Sequence, residues 1–223
     1  MASKTLKAGK KKRKTEQSGS SKDRATVYAR AVVSGEIVAG PHVRGACRRH
    51  LNDLESAVGR GYYYDQKGAS EAIAFFEEVL VLNGGQFEGM PFLLLPWEDF
   101  IVGSIFGWKR ISDDMRRFRV AYVETAKGSG KSPICAGVGI KGLVADNESR
   151  AEIYAAATYR DQAMVLFRDA VAFYDQSPEL QRRLIASGTG ALRWNLAYPK
   201  ENSFFRVTSS KKKGQSGPRP NIA

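Results

Sequence analysis

A chain of 223 residues with 43% hydrophobic residues can bury the core of one ordinary α/β domain with some chain to spare, and is too short for two full domains. Its formal charge of +12 is uneven: residues 1–22 hold eight Lys or Arg against the single acid Glu16, which leaves +5 for everything after them. With only two cysteines and no zinc-type spacing, a disulfide scaffold and a zinc module are both excluded, and no stretch reaches the roughly 18 apolar residues of a membrane span.

In chain order, residues 1–22 read as a disordered basic tail. Its run Lys10-Lys11-Lys12-Arg13-Lys14 is either a solvated, solubilising segment or a contact for a polyanion. No apolar run stands behind it, so it is no signal peptide and a cytoplasmic protein is expected. Residues 23–90 read as a helical N-terminal region. Val43, Ala46, Cys47, His50, Leu51, Leu54, Ala57 and Val58 fall at helical spacing, with Arg44, Arg48 and Arg49 on other faces. A second amphipathic helix runs through Ala69, Ala72, Ile73, Phe76, Val79 and Leu80, with Asn83-Gly84-Gly85 as its expected left-handed stop. Cys47 and Cys135 each sit in an apolar helical pattern, which predicts two free, buried thiols. His42 and His50 lack carboxylate or cysteine partners at a useful spacing and read as structural.

The pattern then changes. Residues 118–123, Phe-Arg-Val-Ala-Tyr-Val, are rich in β-branched and aromatic side chains and predict a buried strand. A small-residue loop leads from it into a helix at Lys131, where Pro133 is tolerated because the first turn has no amide partner to lose. Gly137, Gly139 and Gly142 weaken that helix and imply that its backbone packs close to a sheet or another helix. A second strand at residues 151–156 precedes a helix with Ala163, Leu166, Phe167, Ala170 and Tyr174 on one face. The alternation implies a parallel sheet with right-handed crossovers and ligands at the carboxyl ends of its strands. Residues 192–198 and 203–209 read as a hairpin around Pro199-Lys200-Glu201-Asn202. Lys211-Lys212-Lys213 reads as a charged turn or a backbone contact for DNA, and Pro220-Asn221-Ile222-Ala223 as the opening of a further strand.

The loop Thr125-Ala126-Lys127-Gly128-Ser129-Gly130-Lys131-Ser132, set between strand and helix, carries the chemistry. Glycines let successive amides point inward as an anion nest, a helix N-terminus adds partial positive charge, and Lys131 reaches the β and γ phosphates. Ser132 would then ligate Mg²⁺, so ATP and Mg²⁺ are the expected ligands. The expected fold is α/β of the P-loop NTPase type: a parallel sheet flanked by helices, incomplete at the C-terminus, behind the helical region, with residues 91–223 as the partial ATPase domain. The full loop pattern has glycine where this chain has Thr125.

Upstream, Leu95-Pro96-Trp97-Glu98 and Phe106-Gly107-Trp108 combine aromatics with an acid about 30 residues before the loop; composition alone reads the aromatics as packing. Together with the variant loop and the Tyr-Ala-Ala-Ala strand, the order of these segments resembles the terminase large subunit of tailed phages, from about Tyr28 to Ala223. The resemblance implies an ATP-driven motor that packages double-stranded DNA into capsids. Its partners would be the small terminase subunit, the capsid portal and further copies in a ring, in the host cytoplasm. It also implies that Pro96, Trp97 and Glu98 line the adenine site, where Glu98 replaces a glutamine and cannot donate to the ring nitrogen. Lys127 takes the family's internal basic position, with charge neutralisation at the γ-phosphate as its implied role and plain solvation as the alternative. The acidic pair expected on the strand after Gly217-Pro218-Arg219-Pro220 is not reached, so weak or no hydrolysis by this chain is expected. The alternative is an inactive remnant that only binds DNA or the small subunit.

Overall fold

The computed structural model describes residues 23–146, 148–209 and 219–223, so the basic tail and the lysines at 211–213 lie outside the described residues. Helix α1 (Arg24–Ser34) starts where the Asp23 carboxylate accepts from Thr26 N–H at 3.1 Å, and α2 (Pro41–Ser56) starts on Pro41. Strand β1 (Tyr62–Tyr64) pairs antiparallel with β2 (Trp108–Arg110). Between them run α3 (Gln66–Val79) and α4 (Pro96–Gly107).

The remainder comprises α5 (Lys131–Val144), β3 (Glu152–Ala157), α6 (Arg160–Gln176), α7 (Pro178–Arg183), β4 (Ile185–Ser187), β5 (Asn195–Tyr198) and β6 (Ser203–Ser209). The four strands β3 to β6 form one sheet in the order β3-β6-β5-β4. Its β3–β6 pair is parallel, and the expected hairpin supplies the antiparallel pair β5–β6. On the other side of β3, Ile153 bridges Ile222 in parallel and Tyr154 N–H donates to Ile222 O at 2.9 Å. The final residues therefore meet the sheet through a single parallel bridge beside β3. The α/β architecture with helices flanking the sheet and a helical N-terminal region is the one expected, but the sheet is mixed where a parallel one was expected, because β5 pairs antiparallel with both β4 and β6; the strand pair β1–β2, α4, β4 and α7 have no counterpart in the sequence pattern.

Three local expectations need correction. Residues 118–123 form no strand: they are irregular with a bend at Arg119, and Val120 is 84% and Tyr122 85% exposed. A β-rich run becomes a strand only when neighbouring backbone takes up its amides and carbonyls, and no ladder partner reaches it among the described residues. Helix α3 stops at Leu80, earlier than Gly84 and Gly85. Residues 80–92 fold back on themselves through Leu82 N–H to Met90 O (2.8 Å) and Phe92 N–H to Leu80 O (3.0 Å), with the two glycines at positive φ in the turn. Cys135 is exposed, because α5 buries Ile134, Ala136 and Gly137 on the faces beside it; Cys47 is buried, and both thiols are free.

Packing explains the glycines of α5. A Cβ on Gly137 would stand 2.3 Å from Phe76 Cε1, one on Gly139 2.7 Å from Phe205 Cε1, and one on Gly142 2.3 Å from Ile222 Cδ1. The helix is thus pressed against α3 on one side and the sheet on the other, and these contacts anchor the main core of Phe76, Phe92, Phe167, Phe173 and Phe205. A smaller core joins Ala25, Tyr28, Ala29, Val32, Cys47 and Phe100, and Trp97 packs against both.

Beside the small core, His50 has a defined tautomer. Trp108 Nε1–H donates to its Nδ1 at 3.0 Å, so the proton of the neutral ring sits on Nε2 and is donated to Thr26 Oγ1 at 2.8 Å. Thr26 passes its own hydroxyl proton to Asp23, which also accepts from Tyr64 OH. The structural reading of His50 stands.

Burial lowers the His50 pKa from its ordinary 6.5, against the pull of Asp23 and Asp53. The unfolded chain then takes up a proton near pH 6.5 that the folded chain refuses, so stability is lost as pH falls below that value. The melting temperature of wild type is expected to drop relative to that of His50→Gln between about pH 7 and pH 5; parallel curves for the two chains would contradict this. Gly137→Ala should lower stability in spite of a helix-propensity gain of about 1 kcal/mol, because overpacking costs about 1–3 kcal/mol. Thermal unfolding would show it as a fall of a few degrees.

Candidate functional site

Topology places the loop before α5. The helix runs antiparallel to β3, since its last residue is joined to the start of that strand by a short connection, and Gly142 lies near Ile153. Its first residue therefore lies about 20 Å back, at the carboxyl edge of β3 and β6. This is the edge at which open α/β sheets bind ligands.

Within the loop, Gly128 (φ 84°) and Gly130 (φ 86°) both take the left-handed conformation, the second as N-cap of α5. A Cβ on Gly128 would meet nothing within 4 Å, so the backbone there faces open space. Side chains brace the turn from inside: Ser129 Oγ donates to Ala126 O at 2.8 Å and is hydrogen bonded to Thr125 Oγ1. The Lys131 ammonium donates to Thr125 O (2.5 Å), Ala126 O (2.8 Å) and Thr125 Oγ1 (3.1 Å). Thr125, standing where the general pattern has glycine, thus contributes a hydroxyl that ties both ends of the loop. Ser132 is half-buried one residue inside the helix, and Lys127 is exposed.

Of the upstream residues, Glu98 comes close to the loop. Pro96 is the exposed first residue of α4, and Trp97 is half-buried between the two cores. Glu98 is buried; its Oε2 accepts from Leu95 N–H at 2.8 Å, and its Oε1 lies 3.5 Å from the Cβ position of Gly130. Burial raises its pKa from the ordinary 4.5, with the neighbouring Asp99 adding to the effect.

Asp99 escaped the sequence reading. Its Oδ2 accepts from Arg24 Nε at 2.9 Å, while Oδ1 is buried without a partner, and burial pushes the carboxyl up to about 6 against the pull of Arg24. Arg24 also donates to Glu77 at 2.6 Å and to Leu94 O at 3.3 Å, so a single guanidinium joins α1, α3 and the start of α4. Acids in the first turn after a proline were a legible helix-start signal. Nothing in the sequence pointed to an arginine 75 positions away.

The model of the terminase large subunit ATPase domain matches residues 96–223, more than half of the chain. The chain belongs to this family. The matched region begins at Pro96 and takes in α4, the loop and the whole four-stranded sheet of this terminase ATPase domain. The crystal structure of the HK97 bacteriophage large terminase is similar over 68% of the chain, at 22% identity and a TM-score of 0.55, a likeness of fold. The chain spans 29% of the length of that terminase. No curated protein matches it. Nucleotide binding, generally with Mg²⁺, is what a terminase ATPase domain implies. Among the described residues no helix is long and apolar enough to cross a membrane.

Proposed function

We propose that this chain is the ATP-binding portion of a phage terminase large subunit, the ATP-driven motor that packages double-stranded DNA into capsids. In this reading it works in the host cytoplasm at the procapsid portal, as one copy in a ring, with the small terminase subunit and phage DNA as partners. The observation that carries the reading is the loop at residues 125–132. Two left-handed glycines turn its backbone toward open space at the N-terminus of α5, on the carboxyl edge of parallel strands.

Each part of the loop suits a polyphosphate. The amides of Gly128, Ser129 and Gly130 would cradle it, aided by the positive end of the helix. Lys131 already has its ammonium at the mouth of the loop, donating to neutral carbonyls. Exchanging those neutral acceptors for charged phosphate oxygens adds attraction between opposite charges to the hydrogen bonds the ammonium already makes. Ser132 would ligate Mg²⁺, which neutralises charge on the β and γ phosphates. Lys127, exposed in the turn, would meet the γ-phosphate, and Pro96, Trp97 and Glu98 would border the base.

The test is a thermal shift. Mg²⁺ and ATP at about 100 times the dissociation constant should add about 2.7 kcal/mol of stability, a rise of several degrees, and Lys131→Ala should abolish the rise. If ATP shifts neither protein while DNA stabilises the chain with a steep dependence on salt, the inactive DNA-binding remnant is favoured instead.

A further inference from the structure

Glu98 meets the loop from outside it, and among the described residues no cation is paired with its charge. Leu95 N–H holds Oε2 at 2.8 Å and so fixes the side chain, leaving Oε1 toward Gly130, 3.5 Å from the place a Cβ would take. Its neighbour Asp99 is paired by Arg24, and the loop's own Lys131 donates to the carbonyls of Thr125 and Ala126. Among the described residues no Lys, Arg or His forms an ion pair with Glu98. The carboxylate is only 4% exposed, so water screens it poorly. An anion seated on the amides around Gly130 is brought close to this fixed negative charge.

We propose that Glu98 is a specificity-determining residue of the phosphate site: its buried carboxylate weakens binding in proportion to the phosphate charge seated on the loop. The chain thereby holds a triphosphate less tightly than the loop and Lys131 alone would hold it. This rests on the nucleotide-binding reading of residues 125–132. It differs from a base-reading role, because the oxygen not held by Leu95 faces the loop glycine. A carboxylate there acts on any polyphosphate, with or without a base attached.

Calorimetric titration of the full chain with Mg²⁺ and ATP, AMP or inorganic tripolyphosphate tests it. Glu98→Gln keeps an acceptor for Leu95 N–H while removing the charge; Glu98→Met is a second neutral variant should the first fail to fold. Both ATP and tripolyphosphate should bind the neutral variants about tenfold more tightly than wild type, with little gain for AMP. The proposal is overturned if ATP and tripolyphosphate bind unchanged or more weakly, or if AMP gains as much as ATP, which would assign Glu98 to the base. Where wild type binds ATP, Lys131→Ala abolishes binding and the neutral variants gain nothing, this inference alone fails. If neither wild type nor the neutral variants bind ATP or tripolyphosphate, the loop reading fails and takes the inference with it.

Discussion

Helix α5 touches its neighbours through its backbone. Gly137 lies against the ring of Phe76, Gly139 against that of Phe205, and Gly142 against Ile222 and Ile153, each nearer than a Cβ would allow. Because the helix cannot slide or rotate without driving a side chain into one of these groups, its first residue is held at one place on the sheet edge. The geometry of the loop depends on that contact. Gly130 caps the helix, and the conformations of Gly128 and Gly130 set the direction of the amides between them. A core contact buried in the middle of the domain thereby fixes where an anion would sit at its edge.

Helix α4 connects this arrangement to the N-terminal helices. Its Val102 and Phe106 belong to the main core, its Phe100 to the small one, and Trp97 packs on both. The same helix presents two adjacent acids in its first turn, with different fates. Asp99 turns to Arg24, and Glu98 turns to its own helix start and to the loop. Displacement of α1 would strip Asp99 of its cation and disturb the turn that holds Glu98 beside Gly130. The N-terminal helices are therefore physically coupled to the candidate site without contributing a side chain to it.

Two arginines carry further long-range connections. Arg117 lies 4.6 Å from the ring centre of Tyr62 and 5.1 Å from that of Trp108, and donates to Asp53 at 2.6 Å. Burial works against ionisation of Asp53, yet hydrogen bonds from Arg60 and Arg117 hold its carboxyl below the ordinary range. Arg116 bonds to Asp146 just beyond α5 and to Asn221, next to the bridging Ile222. These two neighbours tie the stretch ahead of the loop to α2 on one side and to the sheet on the other. Residues 118–123 hang between those ties and the loop without a ladder of their own.

What the sequence determined by itself was local chemistry. The glycine, lysine and serine of the loop, the helix that follows with its weakening glycines, a strand read at 151–156 and the hairpin all follow from short-range conformational preference and could be read in chain order. Tertiary structure decided the rest, because it rests on partners far apart in the chain. Residues 118–123 have the composition of a strand, yet strand formation needs a neighbour to take up the backbone hydrogen bonds. Helix α3 ends early because residues 80–82 find partners at 90–92. The seat of Glu98 against Gly130 and the pairing of Asp99 with Arg24 span 32 and 75 positions, distances over which periodicity and propensity carry no information. Burial, the property that sets the charge behaviour of both acids, exists only once those distant segments have met.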